Sequence, residues 1–165
     1  MASTVHLLVI DNRDSFVYNV VELLRSLPEL TFEVIPEGEL ELSSLPEHDG
    51  LILSPGPGVP SEFPRMQALI RAEAGVKPIL GICLGHQALA EHYGATLVQL
   101  PAPRHGHASA LVVADPADRL VGAIPTGSLV GRYHSWAVDD ASLPTCLVPT
   151  AYCADADEGR VLMAM

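Results

Sequence analysis

The chain has 165 residues, 48% of them hydrophobic and 18% charged, and a net charge of −11. That length buries a substantial core in one domain, and a charged share below the usual quarter or so suggests that a partner covers part of the surface. Without a basic run the chain lacks the electrostatic footprint of a nucleic-acid or anionic-lipid binder, which excludes both classes of partner.

The first residues, "MASTVHLLVIDNRDSF", carry no basic leader, and their apolar run is too short for a signal segment or a membrane span. Three cysteines, Cys83, Cys146 and Cys153, form neither a disulfide framework nor a C-x-x-C metal pair, so no metal is expected and the chain reads as cytoplasmic.

In chain order, "VHLLVI" (5–10) is a continuous apolar run, as in a strand covered on both faces of a parallel sheet. Asp14 or Ser15 can cap a following helix whose Phe16, Val20, Leu23, Leu24 and Leu27 recur at helical spacing before Pro28. "FEVI" (32–35), "GLILS" (50–54) and "PILGI" (78–82) read as further strands, with helices near 61–74 and 84–93. This alternation predicts a doubly wound, mostly parallel α/β sheet. After Gly94, "TLVQL", "SALVVA", "SLVGRYHSWAV" and "TCLVPTAYC" read as strands without helices between them, an antiparallel extension of the same domain.

Two strand ends carry chemistry. "ILSPGPGVP" (52–60) alternates Pro, which fixes φ, with Gly, which permits φ > 0 and close approach of another group. It is either a rigid loop aiming amides at a ligand at the carboxyl end of the sheet or a plain tight turn. In "PILGICLGHQALA" (78–90), Cys83 stands between a strand and a helix, with Gly81 and Gly85 two residues to either side. That is the pattern of a nucleophile elbow, with the helix dipole lowering the thiol pKa and the Leu84 amide free to donate to an oxyanion. Buried cysteine is the competing reading. On the elbow reading Cys83 is the most reactive thiol, with Cys146 and Cys153 as strand residues. His86 is better placed to pack beside Cys83 than to act as its base, and His105 and His107 fall in a polar loop, "APRHGHAS".

Taken in order, "VIDNRDSFVYNVVELLR", "LILSPGPGVP", "PILGICLGHQALAEHYGA", "HGHAS" and "RYHSWAVD" resemble the class I, triad-type glutamine amidotransferases. The nearest group is the glutaminase component of anthranilate and aminodeoxychorismate synthases. The resemblance spans nearly the whole chain and implies a flavodoxin-like fold. It makes Cys83 the nucleophile that forms a γ-glutamyl thioester and frees ammonia. It also implies an oxyanion hole from the Gly56 and Leu84 amides, a glutamine pocket from Gly56, Pro57, Gly58 and Gln87, and contacts from Ser135 and Trp136 to the amino-acid end of the substrate. The implied partners are L-glutamine and a larger chorismate-binding synthase subunit, and the implied cofactor set is empty.

Three residues depart from the family pattern: Arg13 stands for the usual Tyr of "DNYDSF", His107 for the Lys of "HGK", and Trp136 for a common Leu. The resemblance further implies one more strand and helix carrying a His-Pro-Glu motif, and the 165 residues contain no such motif. Two readings therefore stand side by side, an active glutaminase subunit and a catalytically silent scaffolding subunit of the same fold. The reading frame beyond Met165 separates them. An unrelated cysteine hydrolase would leave "SPGPG" and "RYHS" together unexplained.

Overall fold

The computed structural model describes residues 4–155 and 159–165, in two compact units, one ending at His92 and the other running from Tyr93 to Met165. The first unit alternates strand and helix: β1 (Val5–Asp11), α1 (Val17–Arg25), β2 (Leu30–Pro36), β3 (Gly50–Leu53), α2 (Pro64–Glu73), β4 (Ile79–Gly81) and α3 (Leu84–His92). Its four strands are all parallel, in the order β2-β1-β3-β4.

The apolar runs of β1 and β3 serve both faces because side chains alternate along a strand. Leu8, Ile10, Leu51 and Leu53 pack with Met66, Leu69 and Ile70 of α2 and with Leu84 and Ala88 of α3. The residues between them, Val9 and Ile52, face the other way, onto Val17 and Leu24 of α1. Helices thus cover both faces, as a doubly wound sheet requires. Leu8, Val9, Ile10 and Leu53 are completely buried, and burial of a side chain of this size contributes about 1.5–3 kcal/mol.

Helix α1 buries only part of the stripe its sequence suggests, Leu24 and, partly, Val20. Val17, Val21 and Leu24 are buried, while Phe16, Leu23 and Leu27 are exposed. Two apolar stripes lie side by side on this helix, and the one that meets Val9 and Ile52 goes inward. Neither Asp14 nor Ser15 is the N-cap, a position held by Phe16 without a side-chain bond. Asp14 instead closes a turn ahead of the helix, its Oδ1 accepting from the Phe16 N–H at 2.8 Å.

The second unit is an antiparallel sheet of β5 (Leu97–Val113), β6 (Leu129–Val138), β7 (Ala151–Asp155) and β8 (Gly159–Ala164), in the order β6-β5-β7-β8. The expected separate strands "TLVQL" and "SALVVA" are one continuous strand, and His105 and His107 lie on it rather than in a loop. Its pairing with β6 shifts register between Gln99 and Arg104 and again between His105 and His107. Gly106, at φ +71°, accommodates the second shift. Only the end of "TCLVPTAYC" is a strand. Pro144 and Pro149 flank a turn in which the Leu147 N–H donates to the Pro144 carbonyl at 3.0 Å, so Cys146 is an exposed turn residue. Leu111, Val121, Ala151 and Cys153 form one core cluster of this unit, and Leu100, Ala137 and Val161 another.

Candidate active site

The order of the first sheet reverses between β1 and β3, and ligands in open α/β sheets bind where the strand order switches. Three chain segments leave the carboxyl ends of strands there: Asn12 after β1, Ser54 to Gly58 after β3, and Ile82 with Cys83 after β4.

The β4 ladder continues one step past the strand, the Ile82 N–H donating to the Leu53 carbonyl at 2.9 Å. The chain then turns sharply, with Cys83 at φ +53°. For a residue with a Cβ this left-handed conformation costs on the order of 1–3 kcal/mol and persists only where the surroundings enforce it. The enforcement comes from the two flanking glycines. A Cβ on Gly81 would stand 2.5 Å from the Gly85 carbonyl carbon and 2.6 Å from the His86 nitrogen, and one on Gly85 would stand 2.6 Å from the Leu53 Cβ. The G-x-C-x-G spacing is therefore the condition for packing the start of α3 directly against β3 and β4, which leaves Cys83 at the apex.

The Cys83 thiol is half-buried. Burial raises its pKa, the Leu84 N–H donated to the sulfur lowers it, and the negative charge of Asp14 raises it again, with a net upward shift. The helix N-terminus supplies the expected amide, but desolvation outweighs it, so the resting group is a thiol rather than a thiolate. Among the other cysteines, Cys153 is fully buried.

Gly56 lies where the three segments meet. Its Cα packs on the Leu84 side chain, and a Cβ there would come within 2.9 Å of the Asn12 Cβ and 3.0 Å of the Asn12 carbonyl. The structure thus brings Gly56 and Leu84 together beside Cys83. Pro57 is exposed beside Gly58, whose φ of +68° strains any residue with a Cβ and on which the Glu62 carboxylate packs. Glu62 Oε2 also accepts from the Val59 N–H at 2.9 Å, which closes the end of the loop. Gln87, buried on α3, sits one turn beyond Cys83 and donates its N–H to the Cys83 carbonyl at 3.0 Å. Arg13 is the other non-glycine residue with positive φ among the described residues, at +63°, and its guanidinium stacks 4.5 Å over the ring of buried Phe63.

Ser135 and Trp136 lie on β6 in the second unit, both half-buried. Ser135 sits opposite the first register shift, where the β5 interval from Gln99 to Arg104 faces the β6 interval from His134 to Trp136. His134 braces this segment. Its Nε2 accepts from Nε of Arg132 at 3.1 Å, and its Nδ1 lies 2.8 Å from the Trp136 carbonyl. This network assigns the proton to Nδ1 and occupies both ring nitrogens.

Sequence reasoning gave no role to Asn12, Glu62 or Arg132, and gave Asp14 only that of a helix cap. Each acts through a contact that spacing does not encode, although Asn12 stands at the carboxyl end of a predicted strand, where a site is expected. Among the described residues there is no cluster of His, Cys, Asp and Glu able to hold a metal ion, and no helix long and apolar enough to cross a membrane.

The family described as glutamine amidotransferase class-I matches residues 8–165. Anthranilate synthase component 2 of Lactococcus lactis is 40% identical over 154 residues, covering 92% of this chain and 76% of that protein. Aminodeoxychorismate synthase component 2 of Serratia marcescens is 40% identical over 158 residues, covering 88% of this chain and 76% of that protein. Among solved structures, a glutamine amidotransferase from Thermotoga maritima superposes with a TM-score of 0.72 at 18% identity, covering 95% of this chain and 70% of that one.

Proposed function

This chain belongs to the class I glutamine amidotransferases, and from that premise we propose how its residues divide the work of releasing ammonia from L-glutamine. The enzyme is the glutaminase component of a two-part synthase, with the larger synthase subunit as its partner. Cys83 Sγ attacks the side-chain amide carbon. The oxygen, now negative, is met by the Gly56 and Leu84 N–H groups, and such donors are worth about 10²–10³ in rate each. The C–N bond breaks and ammonia leaves with the proton that the thiol gave up. Water then adds to the γ-glutamyl thioester, releasing glutamate and restoring the thiol.

Pro57 and Gly58 shape the pocket around the side-chain amide with Gln87, and the family resemblance assigns the amino-acid end of the substrate to the segment of Ser135 and Trp136. The chemistry uses no cofactor. Because burial keeps Cys83 protonated at rest, attack requires a proton acceptor at the moment of bond formation. His134 is not that group, since both its ring nitrogens are engaged.

The observation that carries this reading is the left-handed Cys83, held between two glycines that admit no Cβ. The synthase is proposed to use chorismate and to work in the cytoplasm. Between the two branches represented by the relatives, the segment "VDDASLPTC" after "RYHSWA" favours aminodeoxychorismate. The test reconstitutes the full chain with each type of synthase subunit and supplies glutamine or an ammonium salt. Cys83→Ala abolishes synthesis from glutamine and leaves synthesis from ammonium intact. Equal loss with both nitrogen sources would overturn the reading.

A further inference from the structure

The carboxyl ends of β1 and β3 are tied together by a polar clamp inside an otherwise apolar region. Asn12 and Ser54 are both completely buried. The Asn12 backbone N–H donates to Ser54 Oγ at 2.9 Å, and its Nδ2 donates to the Ser54 carbonyl, also at 2.9 Å. The Ser54 hydroxyl in turn donates to the Pro55 carbonyl at 2.7 Å, the peptide that leads directly into Gly56. Asn12 Oδ1 is buried with no hydrogen-bond partner. Leaving a buried acceptor unmet is costly, so an apolar residue would suit the burial better if burial were all this position required.

The clamp acts at one place. Asn12 contacts Ser54 through two donors, and its Cβ and carbonyl, together with the Leu84 side chain, crowd the space where Gly56 would carry a Cβ. Pro55 and Pro57 fix φ on both sides of Gly56, so the orientation of the Gly56 peptide follows from where Ser54 and Pro55 are held. We infer that Asn12 is a positioning residue for amide cleavage: through Ser54 and Pro55 it aims the Gly56 N–H at the oxygen that becomes negative when Cys83 attacks. The inference rests on the proposed function, because it needs Gly56 as an oxyanion donor. It adds a residue that touches neither substrate nor sulfur but sets the geometry of one that does. A displacement of about 1 Å in such a donor can cost about 10² in rate.

The test uses the full chain with whichever synthase subunit supports wild-type glutamine turnover, and compares Asn12→Ala and Ser54→Ala with wild type. Three quantities are measured: kcat and KM for glutamine hydrolysis, the rate at which iodoacetamide alkylates Cys83 by peptide mapping, and the thermal midpoint. Alkylation at carbon needs no oxyanion donor. The expected result is a fall of about 10–100-fold in kcat for Asn12→Ala, with KM within about twofold, an unchanged Cys83 alkylation rate, and a smaller fall of the same kind for Ser54→Ala. If both variants keep wild-type kcat, or if turnover and alkylation fall together, Asn12 is only a structural clamp. Failure of both variants to fold has the same meaning. If wild type itself does not turn over glutamine with any chorismate-using synthase subunit, the proposed function falls and takes this inference with it.

Discussion

Gly81 and Gly85 face each other across the Cys83 turn so closely that a Cβ on the first would stand 2.5 Å from the carbonyl carbon of the second. The obstacle is backbone, which cannot rotate away as a side chain can. Gly81→Ala must therefore push the start of α3 off β4. The expected loss is about 1–3 kcal/mol, the range of overpacked cores, read as a lower urea midpoint at unchanged m-value. Because the displaced segment carries Cys83 and the Leu84 amide, glutamine turnover should fall further than stability alone explains. A Gly81→Ala protein with a wild-type midpoint and wild-type turnover would show that the spacing is not required.

The state of the Cys83 thiol can be read by its pH dependence. Burial raises its pKa, the Leu84 N–H lowers it, and the nearby Asp14 charge raises it. A raised pKa means less thiolate at neutral pH, so the alkylation rate of Cys83 should climb to its plateau above the range of an ordinary exposed thiol. Asp14→Asn removes a negative charge that disfavours the thiolate, so the midpoint of that profile should move down and alkylation at neutral pH should speed up. A midpoint that moves up, or stays fixed, removes Asp14 from the electrostatics of the site. Wild-type Cys146 is exposed and should react with a small indiscriminate alkylator, whereas a chloroketone analogue of glutamine should select Cys83.

How much of this was legible in the sequence depends on where each feature draws its energy. β1 and β3 could be read because a strand buried on both faces needs an unbroken apolar run, and the elbow could be read because glycines at fixed offsets are a local requirement. The long β5 could not. Its middle, "PAPRHGHAS", is polar and holds two prolines and a glycine, the marks of a loop, yet most of it is exposed and pairs through backbone bonds interrupted by register shifts. The buried stripe of α1 was ambiguous between adjacent rows of apolar residues, and the facing strands decided it. The Asn12–Ser54 clamp joins positions 42 apart, which no local pattern reports.

His134 separates positioning from acid–base chemistry in the second unit. Arg132, 1% exposed, donates to its Nε2, and its Nδ1 is 2.8 Å from the Trp136 carbonyl. If this ring only holds the Ser135–Trp136 backbone against the amino-acid end of glutamine, His134→Ala should raise KM several-fold while kcat at saturation stays within about tenfold of wild type. A general base lost at this position would instead cost about 10²–10⁴ in kcat. A fall of that size with unchanged KM would assign His134 to the chemistry.

The last prediction sets stability against function at Cys83 itself. At φ +53° the residue occupies backbone space that suits glycine and strains any residue with a Cβ by about 1–2 kcal/mol. Replacement by alanine keeps that Cβ and so keeps the strain, while removing a half-buried sulfur. Replacement by glycine removes the same sulfur and relieves the strain, at the cost of a more flexible unfolded chain. The strain is the larger effect in a turn whose neighbours fix its shape, so Cys83→Gly should be more stable than Cys83→Ala by about 1 kcal/mol, although neither uses glutamine. Denaturation of the two variants under one set of conditions decides the point. If Cys83→Ala is the more stable, the turn relaxes when the thiol is removed, and the left-handed backbone is held by the side chain's own contacts rather than imposed by Gly81 and Gly85.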